Sequence, residues 1–334
     1  MAGGRGREAA SAKAEVITSR ENRWLKEFRV ALRGGVPTTS GAVGVEGVRL
    51  VEEALTSGCP VEAVLFSESG ERHRERLAPL ISRPEMGFPV VRTTDRLFEG
   101  VADTEHPQGV AALVVPRAWT LDDVLGITPA APGDPETGSA CAPLIVVLAG
   151  VQDPGNVGTI LRTGAAFGAT AAVTAATGQS GTASPFAPKA LRASAGAALH
   201  IPTVSGMALG ILLTQLKLRE IRTLASCVHE AGYQISDIRN QETKTTAGAK
   251  AAPGASETGL TVAPWEVDWC EAVALLVGNE GAGLPEEVVH SADVRVHVPM
   301  ATLPSSGQAR VESLNAAASA AVLLYEAFRQ RKRV

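Results

Sequence analysis

The chain has 334 residues, of which 45% are apolar, 20% are charged and 4% are aromatic. At roughly 100–200 residues per domain this length favours two domains, and the apolar fraction is large enough for buried cores, which excludes a wholly disordered chain. No apolar run approaches the ~20 residues that a membrane-spanning helix needs, and the polar N-terminus is unlike a secretory signal. The four cysteines are scattered without metal-ligand spacing, so we expect reduced thiols, no metal and a soluble, cytoplasmic protein.

The charge is unevenly distributed. The net charge of −4 argues against a protein that coats nucleic acid along its whole surface. Before Gly34, however, there are eight basic residues against four acidic ones, and the last six residues carry four cations. Most of these cations are arginines, which suit phosphate, although a genome rich in G and C would give the same bias. A phosphate-binding role and a solvated tail are equally good interpretations of these basic ends.

Two stretches rich in Pro, Gly, Ala, Ser and Thr interrupt the chain, at about 128–139 and 241–259. Both are typical of linkers or surface inserts, and the first separates two regions that differ in their pattern of apolar residues. The predicted organisation is a disordered tail over 1–14, a first domain over 15–117, a linker over 118–142, and a second domain over 143–334 with a surface insert at about 241–259.

In the first domain the apolar pattern predicts two leading helices and then short strands. The helices are expected over 17–32 and 45–56, and the strands over 61–66, 89–91 and 110–115. This alternation is typical of a small α/β domain.

The second domain has a clearer pattern of buried strands and helices. The expected strands are 144–149, 171–174, 223–228, 272–277 and 294–298. The expected helices are 157–167, 188–197 and 313–330. Strands that alternate with helices predict a parallel sheet, in which ligands bind beyond the carboxyl ends of the strands.

The first candidate site segment follows the strand at 144–149. The chain turns through Pro154 and Gly155, and we expect Asn156 to cap the next helix. Arg162 then falls on the second helical turn among small residues, which predicts a cleft around its side chain. The alternative for a single arginine is a solvated position on the helix.

Two further segments also follow strands. In Gly278-Asn-Glu-Gly-Ala-Gly-Leu-Pro the glycines allow the backbone to approach a ligand, and Glu280 stands at the end of a buried strand where it needs a partner. After Val298-Pro-Met, Ser313 is a natural cap for the last helix, whereas a capping role does not by itself account for Asn315. We expect the three strand ends to converge on one pocket.

Taken together these segments resemble a known family. The runs NVGTILRTGAAFG from Asn156, GNEGAGLP from Gly278, and VPM with ESLN around Val298 and Asn315 are similar to the three motifs of the SpoU (TrmH-like) RNA 2′-O-ribose methyltransferases of the SPOUT superfamily. In the first domain SRENR, VEGVRLV and HPQGV resemble that family's L30e-like substrate-binding domain. The resemblance covers nearly the whole chain apart from the first dozen residues and the two inserts.

The resemblance implies a fold, a cofactor and partners. The fold is α/β: a C-terminal domain with a parallel sheet and a trefoil knot, preceded by the small L30e-like domain. S-adenosylmethionine is the implied methyl donor, RNA the substrate, and a homodimer the assembly, with no membrane and no metal. The implied catalytic residues are Arg162, Asn156, Glu280, Ser313 and Asn315. The implied donor-binding residues are Leu276, Gly278, Val298, Met300 and Leu314.

The basic residues on or near the two leading helices are the candidates for RNA binding. They are Arg20, Arg23, Lys26 and Arg49. The loop between Met300 and Glu312 is longer than is usual for the family. The resemblance implies that this loop lies against the methyl donor. Near it, His297 is interpreted as a rim histidine rather than as a general base.

The implied reaction transfers a methyl group to a ribose 2′-hydroxyl, a weak nucleophile that needs activation. A guanidinium is a poor proton acceptor, so orientation of the hydroxyl and stabilisation of its developing charge is the expected role of Arg162. Glu280 and Asn315 are expected to hold it in register.

Other functions fit the sequence less well. A nucleotide-dependent oxidoreductase is disfavoured because the chain has no GxGxxG segment. A catalytically silent RNA- or ribosome-binding protein is disfavoured because every motif residue is present. Ribosomal RNA, in particular 23S rRNA, is preferred over tRNA as the substrate because the first domain resembles that of rRNA enzymes.

Overall fold

The computed structural model describes residues 15–82, 87–126, 142–177, 181–227, 261–301, 311 and 313–332. The chain divides into two compact units, Met1–Arg117 and Ala118–Val334. The predicted tail, most of the predicted linker, the 241–259 insert and most of the lengthened loop lie outside the described residues. No helix in the described ranges is both long enough and apolar enough to cross a membrane.

The first unit contains a five-stranded sheet in the order β1-β4-β3-β5-β2. The strands are β1 (Glu15–Ile17), β2 (Val43–Glu46), β3 (Val61–Ser67), β4 (Val90–Thr93) and β5 (Val110–Val114). The helices are α1 (Arg23–Ala31), α2 (Val48–Thr56), α3 (Arg74–Ile81) and α4 (Asp95–Glu99), with a 3-10 turn at Ser69–His73. An α/β domain is therefore confirmed at this end of the chain.

Strand direction places the loops of this unit at one edge. β1 and β3 run parallel to β4, whereas β5 is antiparallel to both β3 and β2. The carboxyl ends of β1, β2, β3 and β4 and the beginning of β5 therefore share one edge of the sheet, which we call the carboxyl edge of the first sheet. All three family-like segments of this unit lie there, since they follow β1, follow β2 and precede β5.

Two predicted helices of the first unit begin too early. The predicted helix over 17–32 is a strand followed by a shorter helix: Ile17 pairs with Thr93, and α1 begins only at Arg23, where the Asn22 side chain accepts a hydrogen bond from Trp24 N. The segment 45–56 likewise begins as β2, and Gly47 at φ 95° turns the chain into α2. The first error arises because Ile17 fits the helical spacing of Trp24 and Phe28, although six polar residues separate it from Trp24. The second arises because Val45 of β2 fits the helical spacing of α2.

The core of the first unit lies on both faces of its sheet. α1 belongs to a buried cluster that takes alternate residues of β3 and β5, such as Ala63 and Leu65. α2 packs against β5 and α3 instead and contributes no residue to that cluster. Because neighbouring strand residues point to opposite faces, α1 and α2 cover opposite faces of the sheet.

The second unit contains a seven-stranded sheet in the order β10-β12-β9-β11-β6-β7-β8. The strands are β6 (Leu144–Ala149), β7 (Ala171–Ala176), β8 (Thr203–Ala208), β9 (Arg222–Ser226), β10 (Thr261–Val262), β11 (Val273–Val277) and β12 (Val294–Val296). The helices are α5 (Leu121–Val124), α6 (Pro154–Ala166), α7 (Pro188–Ala193), α8 (Leu209–Leu218), α9 (Glu286–Ser291) and α10 (Ala316–Arg331). Every pairing is parallel, which confirms the predicted parallel sheet.

Some elements of the second unit differ from the prediction. β8 and α8 have no counterpart in it, because α8 is apolar on most faces and lacks a clear period. Residues 118–126, predicted as linker, belong to this unit: α5 buries Val124, and Leu125 joins the same core cluster as β6, β7 and α8.

Candidate active site

The three predicted segments meet at the carboxyl edge of the second sheet. β6 and β11 are neighbours, and β9 and β12 follow on the same side, so their carboxyl ends are adjacent. A hydrogen bond of 2.9 Å from Asn279 Nδ2 to the Gly150 carbonyl oxygen ties the turn after β11 to the turn after β6. Asn279 Oδ1 also accepts hydrogen bonds from the backbone N–H groups of Gly281 and Ala282, at 2.8 and 3.0 Å. The predicted convergence of these segments is confirmed.

A chain of amide and carboxylate side chains links all three segments. Asn156 Nδ2 donates to Glu280 Oε1 at 2.8 Å, and Asn315 Nδ2 donates to Asn156 Oδ1 at 3.3 Å. Glu280 also accepts from the backbone N–H groups of Gln152 and Asp153, at 3.3 and 3.4 Å. Residues more than 120 positions apart in sequence are thereby held in one row.

The charge of Glu280 is stabilised by this row. Partial burial acts to raise the pKa of Glu280, but the hydrogen bond from Asn156 and those from the backbone N–H groups outweigh it, so the pKa is lowered. Glu280 is therefore ionised at neutral pH and acts as an acceptor. Sequence reasoning correctly indicated that this carboxylate needs a partner, but the partner is an amide rather than a cation.

The beginnings of two helices in the site are set by caps that differ from the predicted ones. Asp153, not Asn156, is the N-cap of α6: its Oδ2 accepts from Asn156 N at 3.2 Å, and Lys189 Nζ pairs with its Oδ1. The hydrogen bond from Lys189 lowers the pKa of Asp153. Asn315, not Ser313, caps α10 by accepting from Ala317 N at 2.8 Å. These caps leave the Asn156 side chain free to reach Glu280.

Arg162 occupies the outward face of α6. Its side chain is exposed and makes no hydrogen bond or ion pair with any described residue. Exposed Thr159 and Ala165 flank it, so the neighbours are small, as predicted, but they leave an open face rather than a cleft. The expected hold of Glu280 and Asn315 on Arg162 is not formed; both bond to Asn156 instead. The solvated alternative therefore describes the single chain.

A cavity of about 460 Å³ opens beside this row. Four of the five predicted donor-binding residues line it, together with two predicted catalytic ones; they are Gly278, Val298, Met300, Leu314, Glu280 and Ser313. The fifth, Leu276, lies instead in the buried core two residues before Gly278. Asn156, Arg162 and Asn315 lie outside the lining.

Sequence reasoning missed several lining residues. Ser226 and Cys227 come from the carboxyl end of β9, and Leu284 and Val289 from the turn and helix after β11. Ser226 and Cys227 could not be predicted because the sequence does not show that β9 lies beside β11. A strand that is parallel to β11 and next to it has its carboxyl end at the cavity. His297 is buried, with Nδ1 3.2 Å from the Val262 carbonyl oxygen, so its interpretation as a rim residue is wrong.

Gly278 shapes the cavity through its backbone. A Cβ at this position would lie 2.7 Å from the Gly283 carbonyl oxygen and closer still to the Gly283 carbonyl carbon and to Leu284 N. The loop can fold back on itself only because residue 278 has no side chain. By contrast, a Cβ at Gly281 would meet only Asn279 Oδ1, at an ordinary 3.6 Å.

The four predicted RNA-binding residues are all exposed, and all lie at or near the carboxyl edge of the first sheet. Arg20 and Arg23 follow β1, and the Arg23 guanidinium lies 4.4 Å from the centre of the Trp24 ring. Lys26 pairs with Glu21 at 2.7 Å. Arg49 follows β2 on the other face of the sheet, so these cations share an edge rather than a single helix surface.

Comparison with known proteins identifies the family. Residues 143–325 match the SpoU rRNA Methylase family, and residues 38–112 match the MRM3-like substrate binding domain. A 23S rRNA (guanosine(2553)-2′-O)-methyltransferase of Bacillus subtilis, RlmP, is 31% identical over 310 residues, which cover 92% of this chain and 97% of that protein. A 23S rRNA (uridine(2479)-2′-O)-methyltransferase of Streptomyces viridochromogenes is 28% identical and covers 99% and 97% of the two chains.

Solved structures share the fold. An AdoMet-bound rRNA methyltransferase from Sinorhizobium meliloti superposes with a TM-score of 0.67 at 23% identity, over 95% of this chain and 98% of that one. The SpoU methyltransferase AviRb from Streptomyces viridochromogenes with AdoMet has a TM-score of 0.65 at 22% identity, over 93% and 98%. The chain belongs to the SpoU rRNA methylase family. It is a methyltransferase with this family's α/β fold, as the three motifs predict.

Proposed function

We propose that this protein transfers a methyl group from S-adenosylmethionine to a ribose 2′-hydroxyl of structured RNA, with 23S rRNA as the favoured substrate. The observation that carries the proposal is the row Glu280–Asn156–Asn315, which fixes three strand-end segments beside a glycine-lined cavity. Relatives of nearly equal length, which are named as 23S rRNA 2′-O-methyltransferases, favour rRNA over tRNA. An rRNA substrate would place the enzyme in the cytoplasm.

The cavity fits the methyl donor in size and chemistry. A volume of about 460 Å³ lies within the range of small-molecule sites, and its wall combines exposed backbone with apolar side chains. Backbone groups around Gly278 and Val298 would hold the polar parts of S-adenosylmethionine, and Met300, Leu314 and Leu284 would contact its apolar parts. The bound donor supplies an electrophilic methyl group on a sulfonium.

Arg162 is the proposed catalytic residue. In methyl transfer the ribose oxygen forms a bond to the methyl carbon, the bond from that carbon to the donor sulfur breaks, and the hydroxyl proton passes to solvent water. Partial negative charge develops on the oxygen as the proton leaves. A guanidinium does not accept that proton at neutral pH, but it can orient the hydroxyl and stabilise the charge. Because Arg162 has no partner in the described part of the chain, its donors are available for this role. Asn156, Glu280, Ser313 and Asn315 are proposed to position the reacting groups.

The assembly we propose is a homodimer through α6 and α10. Their N-terminal ends are joined by Asn156 and Asn315, and their C-terminal halves by Phe167, whose ring lies 5.5 Å from that of Tyr325 and 5.8 Å from that of Phe328. The two helices thus run side by side. Their outward surface includes Val322 and Tyr325, which are 42% and 54% exposed, and Arg162. A second copy that covers this surface would enclose Arg162.

The test is methyl transfer from labelled S-adenosylmethionine to rRNA isolated from cells that lack the gene. We expect one labelled site in 23S rRNA, mapped by its resistance to alkaline cleavage, and no label in tRNA. Label in tRNA alone would reassign the substrate, and no label in any RNA, despite donor binding, would favour a silent RNA-binding protein. Arg162→Ala serves as the inactive reference.

A further inference from the structure

A second cavity, of about 320 Å³, lies in the first unit at the carboxyl edge of its sheet. Its wall comes from the end of β3, from α4 and from the loop before β5. The lining residues are Ser67, Ser69, Asp95, Phe98, Glu99, Glu105, His106, Pro107 and Gly109. The HPQG segment, which the proposed methyl-transfer chemistry does not use, thus forms one side of this pocket.

The wall is held in place by short contacts within the unit. Ser69 donates from N and Oγ to Asp95 Oδ1, at 3.0 and 2.7 Å, and Gly70 N donates to Ser67 Oγ at 3.0 Å. Gly109 sits so close to Gly70 that a Cβ on Gly109 would lie 2.8 Å from Gly70 Cα. The pocket is therefore preformed rather than assembled around a ligand.

The HPQG loop is tied to the end of β2 as well. Val48 N donates to Gln108 Oε1 at 2.9 Å, and Gly47 N donates to the Val110 carbonyl oxygen at 2.9 Å. Buried Glu46 accepts from Asp103 N at 2.8 Å. Two of the family-like segments of this unit are thus one structural piece beside the pocket.

The pocket presents hydrogen-bond acceptors. Hydrogen bonds from Ser67 and Ser69 lower the pKa of Asp95, so its carboxylate is ionised at neutral pH. Glu99 and Glu105 are exposed, and neither forms an ion pair or hydrogen bond within the described ranges. No group of three or more His, Cys, Asp or Glu side chains in those ranges is placed to hold a metal ion. Carboxylates also repel phosphate and accept hydrogen bonds, so the pocket suits a ligand group that donates hydrogen bonds.

Cations flank the pocket along the same edge. In the strand order β1-β4-β3-β5-β2 the pocket strands β4, β3 and β5 are central. Arg20 and Arg23 follow β1 at one end, and Arg49 follows β2 at the other. Next to the pocket itself, Arg72 follows β3 and Arg96 lies in α4, and both are exposed. An RNA strand along this edge would have its phosphates on the arginines and a base over the pocket.

We propose that this pocket binds an unpaired guanine base of the RNA substrate. Guanine presents two adjacent donors, N1–H and N2–H₂, which match the two oxygens of one carboxylate, whereas adenine and uracil each offer a single donor group on that edge. Single-stranded RNA is commonly read in this way, with the base turned out of the stack. The proposal rests on the proposed function in one respect, namely that the substrate is RNA.

The test measures base preference with the full-length chain. Fluorescence anisotropy at fixed salt compares the pentanucleotides 5′-AAGAA, 5′-AAAAA, 5′-AAUAA and an inosine version of the first, which lacks N2–H₂. The wild type is expected to bind 5′-AAGAA about tenfold more tightly than 5′-AAAAA or 5′-AAUAA, with the inosine strand between them. Glu99→Gln combined with Glu105→Gln is expected to reduce the preference to about twofold.

A matched control and a parallel assay separate the outcomes. Glu75→Gln removes one negative charge from exposed Glu75 in α3, outside the pocket lining, and is expected to keep the tenfold preference. Equal affinity for all four strands, or a preference that survives the double substitution, overturns the pocket assignment. Methyl transfer to rRNA is measured on the same wild-type preparation: guanine preference without methyl transfer supports the pocket and contradicts the proposed function, whereas methyl transfer without preference does the reverse.

Discussion

Arg162 is exposed on α6 and makes no hydrogen bond or ion pair within the described part of the chain. We therefore expect Arg162→Ala to leave folding and donor binding intact. The rate of methyl transfer should fall by roughly 10²–10³-fold, the usual loss when a hydrogen-bond donor that stabilises transition-state charge is removed. Single-turnover kinetics measure the rate, and calorimetry measures donor affinity. Lys217→Ala, which removes an exposed cation from α8, is the control, and a normal rate in Arg162→Ala would contradict the catalytic role.

Glu280 predicts a pH dependence of the site. Its pKa is lowered in the folded protein, so the hydrogen bonds to its carboxylate are present above the ordinary carboxyl pKa and are lost as the pH falls through the lowered value. The side-chain amide resonances of Asn156 in NMR spectra should shift in that acidic range. In Glu280→Gln the same resonances should be insensitive to pH there. A shift centred at or above the ordinary carboxyl pKa in the wild type would contradict the assignment.

The shape of the loop after β11 predicts that substitution of Gly278 and substitution of Gly281 have different effects on donor affinity. Gly278→Ala places a Cβ against the backbone of Gly283 and Leu284 and should open the loop, so donor affinity should fall by at least tenfold. The Cβ of Gly281→Ala would meet no atom closer than 3.6 Å, so this substitution should change donor affinity by less than twofold. The sequence alone does not distinguish the two glycines. Calorimetry on both variants checks this, and equal losses would show that the cavity wall is not formed by this fold of the loop.

Element type could be predicted from the sequence wherever a buried strand or an amphipathic helix stood alone. Leu144–Ala149 is a strand with the predicted bounds because it is apolar throughout and bounded by turns. The beginnings of helices could not be predicted where a strand ran directly into a helix, as at Gly47, or where two capping residues stood close together. Asp153 and Asn156 both fit an N-cap position, and only the position of Glu280 shows that Asn156 has another partner.

Most residues of the site could be predicted from the sequence, but the hydrogen bonds between them could not. The three segments and most of the cavity lining follow from the rule that ligands bind at the carboxyl ends of parallel strands. The bond from Asn156 to Glu280 spans 124 positions and depends on β11 lying next to β6. No local pattern in the sequence encodes that strand order. Without it, charge complementarity favours Arg162 as the partner of Glu280, whereas the actual partner is Asn156.

Dimerisation is a property of the whole molecule, and the exposure of residues along α10 decides which substitution tests it. Leu324 is fully buried within the single chain, whereas Val322 and Tyr325 of α10 are exposed. We expect Tyr325→Glu to give a folded monomer in light scattering at micromolar concentration, with little methyl transfer. Leu218→Glu, at a 72% exposed apolar residue of α8, should remain a dimer. A wild-type monomer would overturn the assembly.

RNA binding at the first unit predicts a salt dependence. Alanine substitution of Arg20, Arg23, Lys26 and Arg49 together should lower the slope of log affinity against log salt by roughly 0.7 for each lost phosphate contact on single-stranded RNA. The full chain is the right material, since a fragment that begins at Leu144 would lose Val124 and Leu125 from the core of the second unit. An unchanged slope in filter-binding titrations would place the RNA contacts elsewhere.

The loops at the carboxyl edge of the first sheet have an evolutionary consequence. They carry the candidate cations and the proposed guanine pocket, whereas the residues assigned to methyl transfer come from helix α6 and from loops of the second unit. Mutation can therefore alter the recognised RNA without disturbing either buried core or the transfer chemistry. Such a division would let gene duplication yield enzymes for different nucleotides from one scaffold, and relatives over nearly the full length are named for a guanosine and for a uridine.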